Sequence, residues 1–256
     1  MFVSEINVMH SQRIWEFATG NTRLEKTDVF VWRVPVGQPE RELTRLAGFL
    51  SADEAARVAR FHFEEDRRRA IVSRGVLRIL LGTELNELPD RIQFSYGPQS
   101  KPELAADFAA ADVQFNVSHS HEEILIALAR GRAIGVDVEH IRPGVHDEEI
   151  SSRYFTPAEC VALHSLAPSR RADGFFAYWT CKEALIKAKG GGLSIPLDAF
   201  EVAVDLEREN VPVCILSPAD SRESWSIRRL PAPQGYAAAV AAAEKDWDIR
   251  CWQWQS

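Results

Sequence analysis

The sequence predicts an α+β protein made of two similar α+β subdomains that arose by internal duplication and meet at a cleft. Two observations carry this. Phe49-Leu50-Ser51-Ala-Asp-Glu54 and Tyr154-Phe155-Thr156-Pro-Ala-Glu159 share one form: an apolar lead-in, a hydroxyl N-cap, and a glutamate three residues on that reaches back to the N-cap amide. Each such box opens a short helix, followed by a longer helix ending at glycine (Gly82, Gly190) and then by strands. The division reads as an extension over 1–27, a first subdomain over 28–140 and a second over 141–256.

In order, 1–26 is weakly patterned, and Asp28 to Val34 alternates as a strand. Glu40 to Leu50 reads as a short helix, Ser51 to Phe61 as a capped one, and Glu65 to Leu81 as an arginine-rich helix stopped by Gly82. Pro89 to Pro102 is rich in turns. Strands follow at Val113 to Ser118, Glu123 to Ala129 and Ala133 to Glu139, the last two read as a hairpin through Arg130-Gly131-Arg132. Phe176 to Lys189 favours a helix, with Gly190-Gly191-Gly192 as its stop. The remaining strands are Phe200 to Leu206, Val211 to Leu216, Trp225 to Arg229, Tyr236 to Ala243 and Asp248 to Trp254.

Composition excludes several classes. With 256 residues, 46% of them hydrophobic, the chain can bury one large core or two small ones. Its four cysteines lack metal or disulfide spacing, which points to a reducing cytoplasm. No secretory leader and no membrane-spanning run is expected. The net charge of -7 disfavours general nucleic-acid binding but leaves room for a local basic pocket.

Three segments carry candidate chemistry. In Gly135-Val-Asp-Val-Glu139, alternation places Val136 and Val138 on one strand face and Asp137 and Glu139 on the other. The pair is either solvated or shares a hard cation such as magnesium, with Glu183 completing the site. Glu183 and Lys187 lie one helical turn apart beside the apolar stripe of Phe176, Trp179 and Ile186. They read either as a surface ion pair or as an acid/base or metal-ligand pair at a cleft edge. In Phe115-Asn-Val-Ser-His-Ser120, Ser118 and His119 either cap a strand end or donate to phosphate oxygens. Arg67, Arg68 and Arg69, with Arg74 and Arg78 beyond them, make one helix basic, mostly by charges that are solvated or paired with Glu64, Glu65 and Asp66, with one or two free to clamp a phosphate.

Phe-Asn-Val-Ser-His, Gly-Val-Asp-Val-Glu and Trp-Thr-Cys-Lys-Glu-Ala-Leu-Ile-Lys-Ala-Lys-Gly, in that order and spacing, resemble the 4'-phosphopantetheinyl transferases. The likeness is to the longer, pseudo-dimeric group typified by the surfactin-synthetase activating enzyme, and it runs from about Phe49 to Ala243. It implies an active site in the cleft between the halves, with coenzyme A bound mainly by the first and metal and catalytic helix supplied by the second. It implies Asp137, Glu139 and Glu183 as magnesium ligands and Lys187 at the leaving phosphate. Ser118, His119, Lys101, Arg69 and Arg57 are implied as coenzyme A contacts. Departures from the family pattern include Glu54, where some relatives carry a basic phosphate ligand, and Ala70, where some carry threonine. Ser100 replaces a glycine before Lys101, and Glu159 matches a family glutamate sometimes assigned near the active site. The implied reaction moves phosphopantetheine from coenzyme A to a serine of an apo acyl or peptidyl carrier protein, in a monomeric cytoplasmic enzyme. The alternatives are a metal-assisted phosphohydrolase and a non-catalytic module that binds coenzyme A or carrier proteins.

Overall fold

The computed structural model describes residues 15–17, 23–97, 101–142, 148–192, 195–215 and 224–255. Most of the N-terminal extension, Ser100 and the end of the strand drawn to Leu216 lie outside them. The strands are β1 (Glu16–Phe17), β2 (Asp28–Pro35), β3 (Phe94–Tyr96), β4 (Pro102–Leu104), β5 (Val113–Ser120), β6 (Glu123–Arg130), β7 (Ile134–His140), β8 (Phe200–Val202), β9 (Asn210–Val211), β10 (Val213–Ile215), β11 (Trp225–Arg229), β12 (Tyr236–Ala243) and β13 (Asp248–Gln253). The helices are α1 (Glu40–Ala47), α2 (Ala52–Val58), α3 (Glu64–Leu85), α4 (Glu148–Tyr154), α5 (Pro157–Ser165) and α6 (Arg171–Lys189). Among them, no helix is long and apolar enough to cross a membrane.

Four layers result. One face of a five-stranded sheet, ordered β1-β13-β2-β6-β5, packs Phe30, Trp32, Val34 and Ile126 against Leu46 of α1 and Val72, Val76 and Leu77 of α3. Its other face packs Val29, Val31 and Leu125 against Val136, Val138 and Val240 of a four-stranded sheet, ordered β7-β12-β11-β9. The far face of that second sheet packs Ile227, Ala239 and Ala241 against Cys181, Ala184 and Leu185 of α6. Both sheets alternate apolar side chains to both faces because both faces are covered.

The expected hairpin between β6 and β7 does not form. Both edges of β6 are filled, by β5 and by β2, so β7 crosses into the second sheet and pairs with β12. Gly131 makes the crossing with a left-handed φ of 72°. Arg130 anchors it to the carbonyls of Leu24 and Ala111, and Arg132 to those of Lys26 and Ala243. Strand exchange also runs the other way: β13, at the end of the chain, lies parallel to β2 in the first sheet. The division drawn at residue 140 therefore follows the chain but not the sheets.

Gly82 does not stop α3. The helix continues to Leu85 and is capped by Asn86 at φ 54°, a conformation asparagine tolerates. Gly82 is needed because a Cβ there would meet Glu87 O at 2.7 Å. Gly190 caps α6 as expected, at φ 74°.

The internal repeat is visible in one buried device made twice. Glu54 Oε2 accepts from Ser51 N–H and from Arg78 Nε of α3, at 3.0 and 2.8 Å. The same arginine donates to Pro89 O and Ile92 O and lies over the Phe94 ring. In the second half Glu159 Oε2 accepts from Thr156 N–H and from Lys182 Nζ of α6, both at 2.8 Å. Lys182 donates to Leu197 O and Phe200 O and lies over the Phe200 ring. Both cations are almost fully buried, and burial is tolerable because each is paired and bonded to backbone oxygens. Glu54 and Glu159 are thus structural acids.

Candidate active site

The site lies where β7 meets α6. A Cβ at Gly135 would fall 2.1 Å from Ala184 O and 2.4 Å from Ala188 N, so the glycine lets the helix backbone rest directly on the strand. That close approach sets Asp137, two residues on, against Lys187. Lys187 Nζ lies 2.6 Å from Asp137 Oδ1 and also donates to Ser118 Oγ at 2.9 Å and Val136 O at 3.3 Å. Ser118 in turn donates to Asp137 Oδ1 at 2.9 Å. Asp137 Oδ2 is buried with no hydrogen-bond partner.

Glu139 and Glu183 are half-buried beside this group. Burial pushes the Asp137 carboxyl above the usual range, against the pull of Lys187 and Ser118. Burial and then the Asp137 charge push up both Glu139 and Glu183. The Asp137 charge thus acts on both neighbouring carboxyls, and Glu139 acts on Glu183 as well. Among the described residues no three His, Cys, Asp or Glu side chains are grouped so as to hold a metal ion by themselves.

The other candidate residues are placed as follows. His119 is exposed on β5; local desolvation, then Arg69 and Lys187, depress its pKa. Arg69 of α3 reaches the β5–β6 turn, donating to His121 O at 3.2 Å while paired with Asp66. Lys101 donates to Lys187 O at 2.9 Å, and burial lowers its pKa. Arg57 is exposed on α2 with its guanidinium over the ring of Tyr96, which pairs with Pro102 next to Lys101. Ser118, expected to donate to phosphate, is buried and donates to Asp137 instead. Beside Glu139 opens a cavity of about 120 Å³ walled by Arg142, Ile150, Phe175, Phe176 and Trp179.

Two features escaped the sequence reading. Asn116, Ser118 and Ser120 bond to β7, and their signal was small polar residues at every second position of one strand. The second is a difference between the two long helices. Matching Lys182 of α6 to Arg78 of α3, the places of Glu183 and Lys187 are held in α3 by Ile79 and Thr83.

Two family models match the chain: the 4'-phosphopantetheinyl transferase superfamily over residues 133–241, and 4'-phosphopantetheinyl transferase, N-terminal, over residues 38–130. The chain is 37% identical over 243 residues to the 4'-phosphopantetheinyl transferase HetI of Nostoc sp., covering 95% of this chain and 99% of that one. It is 31% identical over 216 residues to the 4'-phosphopantetheinyl transferase Sfp of Bacillus subtilis (strain 168), covering 83% of this chain and 90% of that one. The chain therefore belongs to the 4'-phosphopantetheinyl transferase superfamily, as an α+β member with an N-terminal half joined to the superfamily domain.

Proposed function

We propose that this site transfers the phosphopantetheine arm of coenzyme A to the serine hydroxyl of an apo acyl or peptidyl carrier protein, releasing adenosine 3',5'-bisphosphate. The observation that carries the reading is the divided Asp137 carboxylate: one oxygen is held by Lys187 and Ser118, the other is buried and unpartnered beside two further acids. An orphaned carboxylate oxygen fits a hard cation. Magnesium needs one or two carboxylates and fills its octahedron with water and phosphate oxygens, so a complete protein cage is unnecessary. Asp137, Glu139 and Glu183 would hold it. Bound there, the ion would neutralise charge on the diphosphate as the phosphorus–oxygen bond breaks.

The chain's own residues divide the remaining work. Glu183, with its pKa raised by burial and Asp137, takes the serine proton directly or through a bound water. Lys187 meets the charge developing on the leaving oxygen. Ser118 acts through Asp137 and Lys187, to which it is bonded. Arg69 and His119 supply donors for coenzyme A phosphates, with Lys101 and Arg57 as further cations for the nucleotide end. The chain acts as a monomer, since one chain contains both halves of the repeat, and its four cysteines without metal or disulfide spacing suit a reducing cytoplasm.

The test is incubation with coenzyme A, with and without an apo carrier protein, in magnesium-containing and magnesium-depleted buffer. Transfer gives a carrier mass gain of one phosphopantetheine that requires magnesium. Consumption of coenzyme A without carrier would indicate a hydrolase, and binding without product a non-catalytic module.

A further inference from the structure

β5 and β7 are edge strands of different sheets, and they lie side by side with no backbone ladder between them. Edge amides left unpaired inside a protein are costly, so the accounting for β7 matters. Three side chains at every second position of β5 complete it. Asn116 Oδ1 accepts from Val136 N–H at 3.0 Å, Ser118 Oγ from Val138 N–H at 3.4 Å, and Ser120 Oγ from His140 N–H at 3.1 Å. The two serines then donate their own hydroxyl hydrogen bonds to acids on the strand they have just bound. Ser118 donates to Asp137 Oδ1 and Ser120 donates to Glu139 Oε2, each at 2.9 Å. Asn116 lies opposite Val136 and has no acid to serve.

A backbone ladder would satisfy the same amides but would offer nothing to the carboxylates. Hydroxyls do both, because one oxygen accepts from the strand while its hydrogen is directed at the acid. Asp137 has a second support in Lys187, whereas Ser120 is the one hydrogen-bond donor to Glu139 found among the described residues. Glu139 is also only half-buried, so packing alone does not fix its rotamer.

We infer that Asn116, Ser118 and Ser120 are a side-chain ladder replacing strand pairing at the seam between the sheets, and that Ser120 is a positioning residue aiming Glu139 at the metal. This rests on the magnesium reading above. Groups that orient a metal ligand typically change metal affinity by roughly 10-fold to 100-fold when lost.

The experiment is calorimetric titration of magnesium into the full chain saturated with coenzyme A, without carrier so that no turnover occurs, alongside thermal unfolding. Ser120→Ala is expected to weaken magnesium by about tenfold or more. Ser120→Thr, which keeps the hydroxyl, should restore most of it. Asn116→Ala should lower the melting temperature, because Val136 N–H is left unpaired, while changing magnesium affinity less than about twofold. In a Glu139→Gln background, Ser120→Ala should add little. Equal magnesium affinity in wild type and Ser120→Ala would overturn the positioning role alone. So would an Asn116→Ala loss as large as that of Ser120→Ala, which would make the effect one of general strand loosening. No magnesium uptake by wild type would overturn the metal reading and this inference with it.

Discussion

Lys187 Nζ sits 2.6 Å from Asp137 Oδ1, joining two residues fifty positions apart through a contact that exists only because Gly135 lets α6 lie on β7. The pair differs from the surface ion pair that Glu183 and Lys187 suggested by their helical spacing, because the lysine turns to the strand acid.

Lys187→Ala should therefore lower the turnover rate by roughly 100-fold or more, as is typical for a lost electrostatic or acid group. Lys187→Arg should recover only part, since a guanidinium keeps the charge but differs in shape and does not readily release a proton. Single-turnover mass spectrometry of carrier modification measures both. Wild-type rates in Lys187→Ala would remove the lysine from the transition state.

Gly135→Ala should destabilise the chain by about 1–3 kcal/mol or more, because its Cβ would press on the backbone of Ala184 and Ala188, which cannot swing away like a side-chain tip. Urea unfolding gives the stability change. Activity should fall in parallel, since any relief of the overlap moves Lys187 from Asp137.

Removing one partner of the buried Glu159–Lys182 pair should cost about 3–5 kcal/mol. Lys182→Met leaves the Glu159 carboxylate without its cation, although Thr156 and Val202 amides still donate to it. Lys182→Met with Glu159→Gln should recover part of that loss, because no uncompensated charge remains. A double variant no more stable than Lys182→Met would show that the carboxylate charge is not what is costly.

His119 gives a pH test. Its pKa is lowered by desolvation and by Arg69 and Lys187, which favours the neutral ring in the free protein. A phosphate beside it would favour the protonated ring and raise that pKa. Coenzyme A binding should then take up protons and weaken as pH rises through the bound-state value; calorimetry in buffers of different ionisation enthalpy reads the uptake. His119→Gln should abolish that uptake. The same depression carries a folding consequence with definite sign. Between the folded pKa and 6.5 the unfolded chain binds more protons, so this group's contribution to stability rises with pH across that window.

The sequence by itself determined what depends on neighbours along the chain. The capping boxes at Ser51 and Thr156, the Gly190 stop and the one-turn spacing of Glu183 and Lys187 are three- and four-residue relationships, set by local hydrogen bonding and helical periodicity. The Asp137 and Glu139 alternation was legible for the same reason, since strand periodicity is local. Tertiary structure decided which strand edges were available. With both edges of β6 filled, β7 had to join the second sheet, and this turned Asn116, Ser118 and Ser120 from a strand-end pattern into partners for β7 amides and acids. It likewise decided that Arg78 and Lys182 are buried cations rather than solvated ones, because only the folded chain brings capping-box acids, backbone carbonyls and an aromatic face around each. Those contacts join residues far apart in the chain, and no local period records them.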